Sequence, residues 1–371
     1  MTPLLRKFLG MNWMIFAIMI ALAAFGVFAI YSATWMRDEV LVQNFWRRQA
    51  MWVGIGMVAF FVASLVDYRW VKWGALPMYL AGIGFLILAR LIGTRVNGAK
   101  SWINIGPVNF QPAQLAVIAG IMVMAILLSQ FRNLHPALRL LLCGIICGAP
   151  MLLILLQPDL GEVIIWVPVI LAMLFVGGMP KRYLICIILL GTAFIPLMVN
   201  FGLHGFQRDR ITAFMDPDLD PLNTGYGINQ ALNAVGSGGW AGLGFKSQNS
   251  QIEIEALPQT AVQNDYIFPV IANQWGFLGG VILISAFGLL LITCLIVAYR
   301  AADDVGVLLC VGFSALIFTH VFQNIGMMVG MLPITGVPLP LISYSGSFVL
   351  MVMFALGLVN SVWVHRKMVN V

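Results

Sequence analysis

The sequence predicts an all-α integral membrane protein of ten transmembrane helices, with one long outer loop and a broken helix after it. Three observations carry that expectation. Of 371 residues, 61% are hydrophobic and 9% charged, against roughly 45–50% and 25% in an ordinary soluble domain. The apolar residues fall in runs of about the 20 residues that a bilayer crossing needs. The basic residues give a formal net charge of +6, but they stand singly or in pairs at the ends of those runs, which orients a membrane protein and does not suit nucleic acid. A single polytopic domain over 1–371 is expected, with a large loop at 203–265 inside it and no room for an independent nucleotide-binding domain.

The spans are expected at about 12–31, 50–66, 74–93, 113–130, 138–156, 163–178, 183–202, 266–298, 304–323 and 347–364. The first follows Arg6 and Lys7 and reads as an uncleaved anchor, because nine spans and no soluble mature domain come after it. The second starts behind Arg47-Arg48-Gln49, and the third lies beyond Arg69 and Lys72. Pro112 suits the first turn of the fourth. Arg132 and Arg139 flank the start of the fifth, Asp159 is placed to cap the sixth, and Lys181-Arg182 precede the seventh. The eighth run is too long for one crossing and contains Pro269, Gly276, Gly279 and Gly280. A short outer half-helix, a break and then the full crossing are expected there. The ninth follows Asp303-Asp304, and the tenth ends at Arg366-Lys367.

An even number of spans puts both termini on one side. If that side is cytoplasmic, the inner face carries a net +8 and the outer face −2, the asymmetry that the positive-inside rule favours. Cytoplasmic connections are then short and basic, whereas residues 203–265 are outside and hold seven of the fourteen carboxylates. Loops of that length are usually functional or disordered, so any chemistry is expected to face outward. Cys143, Cys147, Cys186, Cys294 and Cys310 lie in apolar stretches without zinc spacing and read as small hydrophobes. His135, His204, His320 and His365 are dispersed over both faces, and no G-x-S-x-G elbow is present.

Polar groups beside apolar spans are costly and usually tied to a site. Arg47-Arg48-Gln49 reads either as a snorkelling interfacial pair or as an anion contact, since the arginine fork fits phosphate oxygens. Gly98-Ala99-Lys100-Ser101-Trp102, followed by Gln111-Pro112-Ala113-Gln114, is largely covered by an interface aromatic and a helix start. Asp159, in Gln157-Pro158-Asp159-Leu160-Gly161, suits a helix cap before it suits catalysis. The long loop carries Gln207-Arg208-Asp209-Arg210, the Asp-Pro turns from Asp216 to Pro221, and Gly236-Ser237-Gly238-Gly239, which lacks the setting of a nucleotide loop. Asp265 differs, because it meets the membrane where a low dielectric raises a carboxyl toward the range of a usable base. A helix cap is its plainer reading.

Taken in order, these clusters resemble the SEDS family of bacterial cell-wall polymerases. The resemblance rests on Gly98 to Trp102, Gln111-Pro112, Gln157 to Gly161, Gln207 with Arg210, Asp216-Pro217 with Asp220-Pro221, Gly225-Tyr226 with Gln230, Gly236 to Gly239, Asp265-Tyr266-Ile267-Phe268, and Leu332-Pro333-Ile334-Thr335-Gly336 through Tyr344. It covers most of the chain from residue 98 onward, and the compact length resembles the RodA branch more than the FtsW branch.

That resemblance implies a multi-pass protein of the bacterial cytoplasmic (inner) membrane with both termini cytoplasmic. It also implies a peptidoglycan glycosyltransferase that polymerises lipid II, releases undecaprenyl diphosphate and serves cell shape with the elongation machinery. A class B penicillin-binding protein, a transpeptidase, is the implied partner. Asp265 takes the position of the family's essential aspartate, and Arg48 with Gln49 matches a pair beside the active cavity. This chain departs from the family at Gln114 and Val117, where an acidic and a basic residue are usual, at Asn264, at Asn273-Gln274 and at Ser345. Displacing a lipid diphosphate needs one base and cations, and less proton help than a glycosidase gives its alkoxide leaving group. The expected set is Asp265 as base, with Arg48, Lys100, Arg208, Arg210, Gln111, Gln114, Asp159 and Ser343 toward the substrate. No cofactor is required by the sequence; a divalent cation, Mg or Mn, is compatible with the diphosphate but is not demanded by any ligand pattern. A flippase for the same lipid, or a catalytically weakened scaffold for the transpeptidase, are the alternative readings.

Overall fold

The computed structural model describes residues 2–35, 44–96, 99–105, 108–197, 205–216, 225–247, 250, 256–258 and 261–366. Gly98, His204, the Asp-Pro turns from Pro217 onward and Lys367 lie outside the described residues.

A short helix, α1 (Pro3–Leu9), precedes α2 (Trp13–Thr34), whose first turn is capped by Asn12 accepting from the N–H groups of Met14 and Ile15 at 3.2 and 3.4 Å. The chain continues through α3 (Phe45–Leu65), a 3-10 turn at Tyr68–Trp70 and α4 (Val71–Ile92). Between the third and fourth expected spans stands a three-stranded antiparallel sheet, β1 (Thr94–Val96), β2 (Ala99–Ile105) and β3 (Val108–Phe110), in which Ile103 faces Phe110 and Ile105 faces Val108. This sheet departs from the all-helical expectation. Its cause is a period of two, with Ser101 and Ile103 buried and Asn104 exposed between apolar runs.

Four helices follow: α5 (Pro112–Gln130), α6 (Pro136–Leu155), α7 (Leu160–Val176) and α8 (Lys181–Leu197). Pro112 and Pro136 start their helices, and Asp159 caps α7 by accepting from the Glu162 N–H at 3.4 Å. The long loop contains two helices, α9 (Gly205–Met215) and α10 (Tyr226–Ser237). The chain then enters α11 (Ile267–Tyr299), α12 (Asp304–Met328) and α13 (Gly346–Val364).

Among the described residues, α2, α3, α4, α5, α6, α11, α12 and α13 are long and apolar enough to cross a membrane. The protein is thus an all-α integral membrane protein apart from its small sheet. The helices α7 and α8 have 17 residues each, so the expected total of ten depends on counting both as crossings. The centre of the bundle is α5, α12 and α13, with 78%, 78% and 72% of their most apolar windows inside the protein, against 28% or less in α3, α4 and α6. Ser64 on α3 joins the carbonyl of Gly357 on α13 at 3.3 Å, one of the cross-helix polar contacts that hold helices where lipid offers no hydrophobic drive.

At one end of the bundle, polar contacts tie the helix termini together. The Asn12 N–H donates to Asn360 Oδ1 at 2.9 Å, the Tyr68 N–H donates to Ser361 Oγ at 3.0 Å, and Arg69 and Arg132 pair with Asp303 and Asp304 at 3.6 and 2.8 Å. Buried Arg139 donates to the Gly177 carbonyl at the C-terminus of α7, 2.7 Å away.

The break in α11 falls at Gly276, whose φ of 65° and ψ of −161° no helix allows. Backbone groups freed at membrane depth need partners, and the glycine-rich segment after α10 supplies them. Leu243 and Gly244 donate to the carbonyls of Asn273 and Gln274 at 2.9 and 3.0 Å, and Phe277 and Leu278 donate to those of Gly239 and Trp240 at 2.9 and 3.2 Å. A Cβ at Gly276 would strike the backbone of this segment, so glycine is required both for the angle and for the approach. The expected half-helix, break and crossing are present, and they turn on Gly276 while Pro269 stays within the helical outer half.

Candidate active site

The bundle end opposite those polar ties encloses a cavity, where α5, α7 and α11 begin and where α9 and the non-helical segment 333–345 meet them. Its wall combines the charged side chains of Asp159, Arg210 and Asp265 with the apolar ones of Trp102, Ile164, Ile211 and Ile334.

Asp265 lies just before α11 and is held from behind. Asn324 Nδ2 on α12 donates to its backbone carbonyl at 3.0 Å, Ser343 Oγ donates to the carbonyl of Asn264 at 2.6 Å, and the Tyr344 N–H donates to that of Gln263 at 2.8 Å. The carboxyl is left to the cavity, against Gly336, where a methyl group would sit 3.3 Å from Oδ2. Burial pushes its pKa up to about 7, although Arg210 pulls it down; the charge of Asp159 adds to the rise. Burial also raises Asp159, offset by the N–H of Glu162, by Ser101, by Arg210 and by Gln111. The sheet has a use here, since it brings buried Ser101 to Asp159.

From α5, Gln111 Nε2 reaches Asp159 Oδ2 at 3.5 Å and Gln114 Nε2 donates to Gln111 Oε1 at 2.8 Å. Both amides line the cavity, and Ser347 Oγ on α13 completes the chain to Gln114 Oε1 at 3.4 Å. Arg210 lines the cavity as well, whereas Arg208, two residues earlier on α9, is exposed and outside its wall. Arg48 is exposed on α3 and reaches the rim through the phenol of Tyr344. Its neighbour Gln49 is buried and spans the segment, donating to the Ser343 carbonyl at 3.1 Å and accepting from the Ser345 N–H at 3.4 Å. Two expected residues do other work. Lys100 Nζ donates to the Leu91 carbonyl at the C-terminus of α4, 2.7 Å away, and Ser343 Oγ, fully buried, bridges the Leu339 N–H to the Asn264 carbonyl.

Glu162, not expected from the sequence, belongs beside the site. It is 3% exposed, its Oε2 has no hydrogen-bond partner among the described residues, and it lies close enough to Asp159 and Asp265 for their charges to repel. A carboxylate inside an apolar run, three residues after a capping aspartate, was the signal. Among the described residues, no group of three or more His, Cys, Asp or Glu is arranged to hold a metal ion.

The fold and the cavity define a class: a polytopic membrane protein with a carboxylate and arginine site at one end of its helix bundle. Residues 12–368 match the profile of the FtsW, RodA and SpoVE cell cycle proteins, and the chain belongs to that family. It is similar to the peptidoglycan glycosyltransferase MrdB of Escherichia coli K12, with 34% identity over 357 residues covering 95% of this chain and 93% of that protein. Stage V sporulation protein E of Bacillus subtilis is 32% identical over 93% of this chain and 94% of its own length. Among solved structures, a chain of a peptidoglycan synthase complex that coordinates polymerization and crosslinking has a TM-score of 0.80 at 28% identity, covering 96% of this chain and 98% of that one. The Thermus thermophilus rod shape determining protein RodA has a TM-score of 0.72 at 27% identity, with the same two coverages.

Proposed function

We propose that the protein is a peptidoglycan glycosyltransferase that polymerises lipid II at the outer face of the bacterial inner membrane, in cell elongation. The observation that carries this reading is Asp265, a carboxyl opening into the cavity with a proton affinity near neutrality and an arginine beside it. In the proposed reaction Asp265 accepts the proton of the acceptor sugar hydroxyl as that oxygen bonds to the anomeric carbon of the donor. The bond from this carbon to the lipid diphosphate breaks, and the electron pair leaves with the diphosphate. Arg210 offsets the charge that builds on the leaving group, and Arg48 at the rim is suited to hold its far end. Gln111, Gln114 and Asp159 would orient the sugars.

The outer location of the site is supported by the +8 and −2 division of charge, which favours a cytoplasmic place for the polar ties at the other end and for both termini. A class B penicillin-binding protein is the proposed partner, supported by the likeness to a chain from a complex that both polymerizes and crosslinks. Against a flippase stands a cavity at one end of the bundle, since transporters hold their substrate near the bilayer midplane. The test is gel analysis of glycan made from labelled lipid II by the purified protein, alone and with its transpeptidase. Chains are expected from the parent and none from Asp265→Asn; chains from both would remove Asp265 as the base, and lipid transport without polymerisation would favour the flippase.

A further inference from the structure

The glycine-rich segment that closes the break in α11 is itself fastened to α2, and the charged part of that fastening is Lys246. Lys246 holds a left-handed backbone, with φ at 55°. Its ammonium lies 4.0 Å from the ring centre of Trp35 and 4.3 Å from that of Tyr31, with Phe245 at 5.5 Å, and it donates to the Tyr31 hydroxyl at 3.0 Å. Next to it Phe245 stacks on Phe28 at 4.5 Å with the planes 11° apart. Trp275, the last residue before the break, packs between Phe25 and Phe28 at 5.2 and 6.0 Å. Ser32 on α2 adds a bond to Gln274 Oε1 at 2.7 Å. One continuous set of contacts therefore runs from α2 through Lys246 and residues 239–244 to the outer half of α11, and Asp265 stands at the head of that half-helix.

We propose that Lys246 is a positioning residue for the reaction: by fastening the segment 238–247 to the aromatic face of α2 it fixes the outer half of α11 and hence the location of Asp265. This inference rests on the reading of Asp265 as the base. The half-helix is short and its backbone is interrupted at Gly276; two hydrogen bonds, from Leu243 and Gly244, join its end to this segment, and two more, from Phe277 and Leu278, join the crossing below to the same segment. With its backbone interrupted, such an element depends on its lateral partners. Asn324 and Ser343 hold its head at Asp265 and Asn264, and at its other end the segment braces it, with the segment's charged anchor at Lys246. A cation over two or more aromatic faces is well suited to this, because the attraction tolerates small shifts yet disappears when the charge is removed.

The experiment uses the full-length protein in detergent or nanodiscs, with its transpeptidase for the activity arm. Lys246→Met keeps length and apolar bulk without charge, and Lys246→Arg keeps the charge over the rings. Lys246→Met is expected to lower kcat for lipid II polymerisation about three- to tenfold with KM nearly unchanged, and Lys246→Arg is expected to recover most of it. Hydrogen exchange, read by mass spectrometry on peptides covering 239–247 and 267–278, is expected to speed up in Lys246→Met and to stay near the parent in Lys246→Arg. Exchange measures the fastening without reference to catalysis. Unchanged exchange in Lys246→Met overturns the proposal, as does equal impairment of both variants, which would mean packing and not charge. A raised KM with unchanged kcat overturns it too, since the segment would then be touching substrate. If exchange responds as expected while Asp265→Asn still polymerises, the fastening stands and the reading of Asp265 fails.

Discussion

A single side-chain amide, that of Asn324, holds the backbone carbonyl of Asp265 at 3.0 Å and that of Val337 at 2.7 Å. It locks the residue that carries the proposed base to the segment that closes the cavity behind it. Asn324→Leu keeps the size and removes both donors. Two buried carbonyls then lack partners, at about 1–3 kcal/mol each, so the thermal midpoint should drop and polymerisation should fall by at least about tenfold. A variant with normal activity and a lowered midpoint would reduce Asn324 to a purely structural role.

The pH dependence has a definite sign. As the proposed base, Asp265 acts only after losing its proton, so activity should climb with pH through about 7. Removing the negative charge of Asp159 with Asp159→Asn should move that limb to lower pH, and Arg210→Ala should move it higher. Stability runs the other way. The pKa of Asp265 is raised in the folded protein from 3.8 to about 7, so the stability it lends is complete below 3.8 and is lost as pH rises through about 7. Asp265→Asn should therefore unfold at a higher temperature than the parent at pH 8, with the gap closing toward pH 4. Thermal denaturation across that range, and initial rates against pH, read both effects.

Two arginines two residues apart should behave differently. Arg210 lines the cavity and Arg208 does not, so Arg210→Ala should cost at least about tenfold in turnover, as the loss of a charge-assisted contact would. Arg208→Ala should stay within about twofold, the usual insensitivity of exposed sites. Lysine at 210 should restore turnover only in part, because an ammonium cannot reproduce the fork. Equal losses at both positions would point to the net charge of α9.

Gln114 and Val117 share the buried face of α5, one turn apart, at 4% and 1% exposure. Here Gln114 is a donor to Gln111 and an acceptor from Ser347, so its own two partners are an uncharged amide and a hydroxyl. Gln114→Glu and Val117→Lys should each destabilise the protein, and the double variant should cost less than their sum, because a buried pair recovers desolvation that a lone charge cannot. Strictly additive losses in thermal stability would show that the sites do not communicate.

Sidedness is open to a direct test. Asp209 on α9 is exposed at the cavity end and Lys181 is exposed at the other. In a cysteine-free background an impermeant thiol reagent should label Asp209→Cys in intact cells and spare Lys181→Cys until the cells are broken.

Features that depend on nearest neighbours in sequence were legible, and features that depend on direction were not. Pro112 and Asp159 start their helices as expected, and the long run from 266 does break, because one overlong apolar stretch with clustered glycine has few alternatives. The small sheet was missed because its strands of three and seven residues are too short to register beside spans of 20. The helices of the long loop were hidden as well; in α9 the apolar Phe206, Ile211, Ala213, Phe214 and Met215 do not gather into one stripe that would announce it. Arg208 and Arg210 could be separated only by noticing that Gln207, Arg210 and Ile211 follow helical spacing and so share a face, which is the face toward the cavity. Lys100 and Ser343 carry polar groups of the right kind but spend them on backbone carbonyls.

The helix α2 is tied at both ends. At one, Asn12 joins Asn360; at the other, Ser32 joins Gln274 and Tyr31 takes the ammonium of Lys246. Its 22 residues span about 33 Å, so a helix held at both of its ends has no free end to swing. It serves as a strut that runs from one end of the bundle to the other, and the outer half of α11, with Asp265 at its head, is braced against it.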